Sequence, residues 1–263
     1  MLMVQIINYF LEATLCWGIL YLAYTFFLHP HQHLSFNRYF ILTSLGIGLI
    51  FPLLSVPFFN DNSISAATFQ QTHLLSQADI TKVAKDQRNT FWLNQLLAAS
   101  YLSISLIFFG VTFFRIMKLF LFIKRSRVFT KGGIKIIYTY GKWPTFSWFH
   151  FLFWNNHAQL ERSGKRQILA HEKAHINARH SWDKLFSTLM TILFWWNPFI
   201  YQFQNKLTEV HEFQADRAGK KNSPEDYAKL IFSQVMEIKS FSFGSPFGKS
   251  RVISRVKRSH TPD

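Results

Sequence analysis

Ile168-Leu169-Ala170-His171-Glu172-Lys173-Ala174-His175 is the stretch on which the reading of this chain turns. His171 and His175 are four residues apart. On an α-helix they stand one above the other, and both imidazoles can reach one metal ion. Glu172, beside the first, is placed to face a metal-bound water and take its proton. Ile168, His171, His175, Ala178, Trp182 and Leu185 recur at 3-4-3-4-3 spacing, which predicts one continuous helical side through the whole stretch. The five-residue pattern alone also suits two surface histidines on a polar helix. A third ligand downstream decides between the two.

Glu212-Phe213-Gln214-Ala215-Asp216 supplies one. Glu212 and Asp216 share a helical face. Glu212 can offer a carboxylate oxygen to the metal, and Asp216, one turn on, can accept the free ring N–H of a ligand histidine and fix its tautomer. Two histidines, a carboxylate and a water make an open tetrahedral zinc site suited to amide hydrolysis. A purely structural zinc would take a fourth protein ligand. His211 is the obvious offer, but on a helix it points about 100° away from Glu212.

Working outward, the composition is not that of an ordinary soluble protein. Of 263 residues, 49% are hydrophobic, 18% aromatic and only 16% charged, below the usual quarter for charge. The single cysteine, Cys16, excludes an internal disulfide and a cysteine zinc cluster. The formal charge of +15 invites nucleic acid or anionic lipid as partner. Its distribution favours lipid: Arg115, Lys118, Lys124, Arg125, Arg127, Lys131, Lys135 and Lys142 follow one another with no acid before Glu161. Such a basic block marks the cytoplasmic side of a membrane protein. No nucleic-acid motif accompanies it.

Three apolar runs, about 4–28, 39–59 and 91–114, are long enough to span a bilayer. The first lacks the basic start of a signal peptide and reads as a retained helix. Residues 29–38 read as a short polar connection and 60–90 as an extracytoplasmic loop. The N-terminus is then outside and everything after the third span inside. Val128–Lys131, Gly132-Gly133 and Ile134–Tyr140 predict a β-hairpin. Thr145–Phe149 is either an edge strand for an extended substrate or an aromatic belt. Leu185–Phe203 is apolar enough for a fourth span. However, His175 precedes it and Glu212 follows it, and both must reach one ion, whereas a crossing would part them by about 30 Å. With Asn197-Pro198 breaking the run, the segment must dip in and return, or pack against the membrane. Ala218-Gly219 predicts a left-handed glycine cap for the Glu212 helix. Ser223-Pro224 starts another helix, to about Ile238.

His171-Glu172-Lys173-Ala174-His175, Arg179-His180-Ser181-Trp182-Asp183, Trp196-Asn197-Pro198-Phe199 and Glu212-Phe213-Gln214-Ala215-Asp216, with Phe36-Asn37-Arg38 upstream, resemble the M56 membrane metallopeptidases, the group of the BlaR1/MecR1-type antibiotic sensors. The resemblance runs from about Leu20 to Arg258. It implies His171, His175 and Glu212 as ligands of one Zn2+ and Glu172 as general base. Asp216 and Asp183 would be the carboxylates behind the ligands. It also implies a cytoplasmic domain that cleaves itself or a repressor. The chain ends about where the family's last membrane helix and sensor domain would begin.

The expected architecture is a mostly α membrane protein, three transmembrane helices followed by a cytoplasmic zincin-like (gluzincin) domain. That domain would hold a small β-hairpin or sheet and a re-entrant or membrane-packed helix. The expected division is 1–123 membrane region, 124–240 peptidase domain and 241–263 basic tail. The expected activity is that of a multi-pass zinc endopeptidase of a bacterial inner membrane, in regulatory proteolysis. Membrane lipid and a protein or peptide substrate would be its partners; self-association stays open. His150, His180 and Tyr201 are the candidates for stabilising the transition state. Two other readings compete: a non-catalytic membrane scaffold that keeps a zinc site, and a quality-control peptidase like those of the M48 group, with the same chemistry.

Overall fold

The computed structural model describes the backbone of residues 2–28, 33–54, 77–157 and 161–220, and side chains within 5–28, 33–54, 91–157 and 161–220. The helix expected from Ser223 and the basic tail lie outside the described residues. Helix α1 is Leu2–Phe27, α2 is Leu34–Ile50 with a 3₁₀ turn at Phe51–Leu53, and α3 is Gln77–Arg125. All three are long and apolar enough to cross a membrane, over Gln5–Phe27, Leu34–Leu53 and Phe91–Arg125.

Helices α1 and α2 each bury only one stripe, and α3 buries none of its described side chains. In α1 the stripe is Ala13, Trp17 and Tyr24, while Leu11, Leu15, Ile19 and Phe26 stay exposed; this suits a helix with protein on one side and lipid on the others. Gly48 lets α2 come close, because a Cβ there would lie 2.1 Å from Trp17 Nε1. The indole instead donates to the Leu45 carbonyl at 3.3 Å. Helix α2 starts five residues earlier than the apolar run suggests. Its first turns carry Asn37 and Arg38, which face protein, so hydropathy underestimates its length.

After α3 come four short strands: β1 (Val128–Lys131), β2 (Ile134–Tyr138), β3 (Phe146–Trp148) and β4 (Phe151–Trp154), in the order β1-β2-β4-β3. β1 and β2 form the expected hairpin, with Gly132 at φ 59° and Gly133 at φ 78° in the turn. β2 pairs β4 in parallel, and β3 pairs β4 antiparallel. β3 is thus an edge strand. The end of α3 continues beneath the sheet, Phe120 against Trp148 and Phe122 against Phe153.

Helix α4 (Arg162–Asn177) carries both candidate histidine ligands. The expected continuous helix does not form. It ends at Asn177, Arg179 adopts a left-handed conformation (φ 57°, ψ 35°), and α5 (His180–Leu193) departs in a new direction. Trp182 and Leu185 are therefore exposed rather than aligned with His171. The break turns His180 and Asp183 inward, where both are buried.

Helix α6 (Pro198–Gly219) returns antiparallel to α5, and the two form a hairpin. Asn197 caps α6 by accepting from Phe199 N at 2.9 Å, with Pro198 in its first turn. The tip of the hairpin lies midway along α1: Phe194 packs on Trp17 and Phe10, and Asn197 Nδ2 donates to Thr14 Oγ1 at 3.1 Å. Ile200, Phe203, Leu207, Val210 and Phe213 of α6 complete a core with α1, α2 and α5. Leu185–Phe203 therefore turns back on itself at Asn197 and forms most of a helical hairpin. At the other end of α6, Gly219 is still helical and has no positive φ, so the expected left-handed cap is absent; Lys220 caps the helix in a right-handed conformation.

Candidate metal centre and active site

Helices α4 and α6 pack side by side and bring three donors together. His171 Nε2 lies 3.2 Å from His175 Nε2. Glu212 Oε2 is 3.8 Å from His171 Nε2, and Oε1 is 3.8 Å from His175 Nε2. All three ligand atoms fall within 4.8 Å of one another. A tetrahedral zinc with bonds near 2.05 Å places its ligand atoms about 3.3 Å apart. The imidazole pair matches this spacing, and the carboxylate is slightly wide of it.

The outer sides of the two imidazoles are held differently. His171 Nδ1 is 3.2 Å from Asp216 Oδ1, so a carboxylate accepts from it. Burial opposes charge on this ring, but Asp216, Glu212 and Glu172 outweigh burial and raise its pKa. His175 Nδ1 is 2.7 Å from His180 Nδ1, and His180 Nε2 is 2.8 Å from Gln214 Oε1. One set of tautomers satisfies this chain. His175 keeps Nε2 bare for a metal and donates from Nδ1; His180 accepts at Nδ1 and donates from Nε2 to the amide oxygen. His180 is correspondingly neutral, its pKa pushed down to about 3 by burial and the neighbouring His211. Burial, and after it His171 and Lys184, lower His175 as well.

Glu172 is buried beside the triad, with Ser147 of β3 near enough to lower its pKa. Burial raises its pKa, against the lowering effects of His171 and Ser147. A buried carboxylate with a pKa moved toward neutrality suits proton transfer. The donor set is therefore one that a divalent metal of zinc's preferences fits: two imidazoles, each oriented from behind, one carboxylate, and no cysteine.

Residues 155–257 match the family model described as BlaR1 peptidase M56. The match, over less than half of the chain, is consistent with membership of that family. Comparison with curated proteins gives no match. The matched segment contains α4, α5 and α6, hence both candidate histidines, Glu172, Glu212 and the residues behind them. An M56 relationship points to a peptidase, of a group that is generally metal-dependent, and the three apolar helices point to a membrane protein.

The remaining candidates fall elsewhere. His180 stands behind His175 with both ring nitrogens engaged, so it does not face a substrate. Tyr201 is three turns before Glu212, about 16 Å along α6, and donates to the Trp195 carbonyl at 2.6 Å. His150 is exposed in the turn between β3 and β4, its ring against Phe151. Asp183 touches neither candidate histidine. Its Oδ2 accepts from His211 Nε2 at 2.7 Å and from Arg38 Nε at 2.6 Å. This also disposes of His211 as a fourth ligand: it is wholly buried and directed at Asp183. Sequence reading missed Ser147, Gln214 and Arg38. Gln214 lay inside the quoted acidic motif, and Arg38 inside Phe36-Asn37-Arg38, but no spacing rule links either to a histidine.

Proposed function

We propose that this chain is an integral membrane, zinc-dependent endopeptidase of regulatory proteolysis, with its site on the cytoplasmic side of a bacterial inner membrane. The observation that carries this reading is the convergence of His171, His175 and Glu212 within 4.8 Å, beside a buried Glu172. Zinc held by these three residues would supply Lewis acidity, polarising the peptide carbonyl and favouring a water nucleophile near neutral pH. Glu172 takes the proton from the attacking water and returns it to the leaving amine. Ser147 lowers the Glu172 pKa, while Asp216 and His180 hold the two ligand imidazoles in their tautomers. Among the described residues β3 has an open edge beside α4, and an extended substrate segment adds there as a further strand.

The basic block at the end of α3 and beyond it supports the inside orientation of the site. Residues 1–123 form the membrane region in this reading, and the peptidase domain begins at 124. The α5–α6 hairpin re-enters the bilayer from the cytoplasmic side, its tip level with Thr14.

Cells producing the parent protein and Glu172→Gln decide the matter through mass spectrometry of new protein termini and metal analysis of the purified proteins. Both proteins are expected to hold one zinc, and cleavage in the variant to fall by about 10²-fold or more. A variant that cuts at the parental rate overturns the assignment of Glu172. Zinc in both with no new termini in either favours the scaffold reading.

A further inference from the structure

Arg38 belongs to α2, the second candidate span, and is 145 residues from Asp183 in sequence. Its guanidinium works in two directions. Nε donates to Asp183 Oδ2 at 2.6 Å, and Nη2 reaches Asp183 Oδ1 at 3.2 Å. Nη2 also donates to the Ala178 carbonyl at 2.7 Å. Ala178 caps α4, three residues after His175, and Asp183 lies in the first turn of α5. The guanidinium therefore spans the corner where Arg179 separates the two helices. From Asp183 the contact continues: Oδ2 accepts from His211 Nε2 at 2.7 Å, and the His211 ring stacks on His180 at 4.0 Å and 17°. His180 in turn meets His175 Nδ1 at 2.7 Å.

We propose that Arg38 is a positioning residue for the metal ligand His175: helix α2 fixes the α4–α5 corner and, through Asp183 and His211, the His180 ring that orients this ligand. The proposal rests on the metal-site reading above. Only a planar fork serves here, since two acceptors on different helices must be met at once, and a lysine ammonium offers a single point of charge. A buried ion pair is poor evidence of a stability function, because apolar substitutes often do as well. Its value in this position is geometric. A displacement of α2 relative to α4 and α5 would be felt at His175, so the membrane helix is part of the frame of the site.

The test uses the full chain in detergent, with Co2+ as the probe and Zn2+ in competition. The parent should bind one Co2+ with the visible absorption of a tetrahedral nitrogen–oxygen site; if it binds none, the metal-site reading fails, not this one. Arg38→Gln should bind Co2+ about tenfold or more weakly and shift the cobalt absorption. It should do so while keeping the parental helix content and elution. Arg38→Lys should fall between. Arg38→Gln with Asp183→Asn should be no weaker than the worse single variant, as expected for two members of one network. Parental affinity and an unshifted spectrum in Arg38→Gln overturn the proposal. Should that variant fail to fold, Arg38→Lys decides by the same two readouts, and parental values in it overturn the proposal equally.

Discussion

Glu172 is held between opposing influences, and a single hydroxyl tilts the balance. Burial raises its pKa, whereas the His171 ring and Ser147 lower it. Ser147→Ala removes one lowering influence, so the acid limb of the pH–rate profile should move to higher pH, measured as kcat/KM against a peptide substrate. Asp183 is the reverse case. Burial raises it, but hydrogen bonds from His211 and Arg38 prevail and its pKa is lowered. A carboxyl whose folded pKa lies below its unfolded value, about 3.9, stabilises the fold fully above that value. The contribution is lost as pH falls through the lowered one. Asp183→Asn should therefore be less stable than the parent near neutral pH, and the gap should narrow in strong acid, as followed by denaturant unfolding at a series of pH values. His211 belongs to the same account. Its Nδ1 is buried with no hydrogen-bond partner among the described residues, which is tolerable for a bare acceptor on a neutral ring. A proton there would be an unsatisfied buried donor, and burial accordingly lowers the His211 pKa.

Among the elements, the α5–α6 hairpin does the decisive work, because it brings Glu212 and Asp216 of α6 and His180 of α5 to the α4 histidines at one end and grips α1 at the other. Its turn depends on Asn197, which caps α6 through Oδ1 and ties the tip to Thr14 through Nδ2. Asn197→Ala loses the cap and leaves Thr14 without that donor. A loss of about 1 kcal/mol is expected for the cap alone, read by thermal or denaturant unfolding in detergent. Metal content at saturating zinc should stay unchanged, since the tip is about 20 Å from the ligands along α5. The edge strand β3 is the other functional element. It is short, and the stacking of Phe146 on Phe153 at 4.5 Å and of Trp148 against Phe120 fixes its place. This packing places Ser147 where it lowers the Glu172 pKa.

For the whole molecule, the candidate ligands come from α4 and α6, which are separated in the chain by α5. Any ion that bridges them therefore favours the folded state over the unfolded one. A ligand present at a hundred times its dissociation constant stabilises by about 2.7 kcal/mol. Zinc should raise the unfolding temperature of the parent and a chelator should lower it, whereas His171→Ala should respond to neither. Equal responses in the two proteins would show that zinc acts elsewhere. The three apolar helices, with their mostly exposed apolar faces, require that this be measured in detergent or lipid.

By itself the sequence determined what depends on short spacing and on composition. The i, i+4 repeat fixed the relation of His171 to His175 and of Glu212 to Asp216, and the length of each apolar run marked three helices fit to cross a membrane. Gly132-Gly133 foretold the hairpin turn, and the need for His175 and Glu212 to meet ruled out a fourth crossing by Leu185–Phe203. Only the tertiary structure decided where the helix through His175 breaks. The spacing of apolar positions continued past Arg179, and a left-handed arginine carries a local cost of about 1–2 kcal/mol. The cost is offset by contacts far off in sequence: Arg38 on Asp183 and Ala178, and His211 on Asp183. The same distant contacts moved His180 from the substrate side to the back of His175. Periodicity records which residues share a face, but not which buried polar group waits opposite that face, and here the opposite group came from Arg38 of α2, a candidate span, 145 residues away from Asp183.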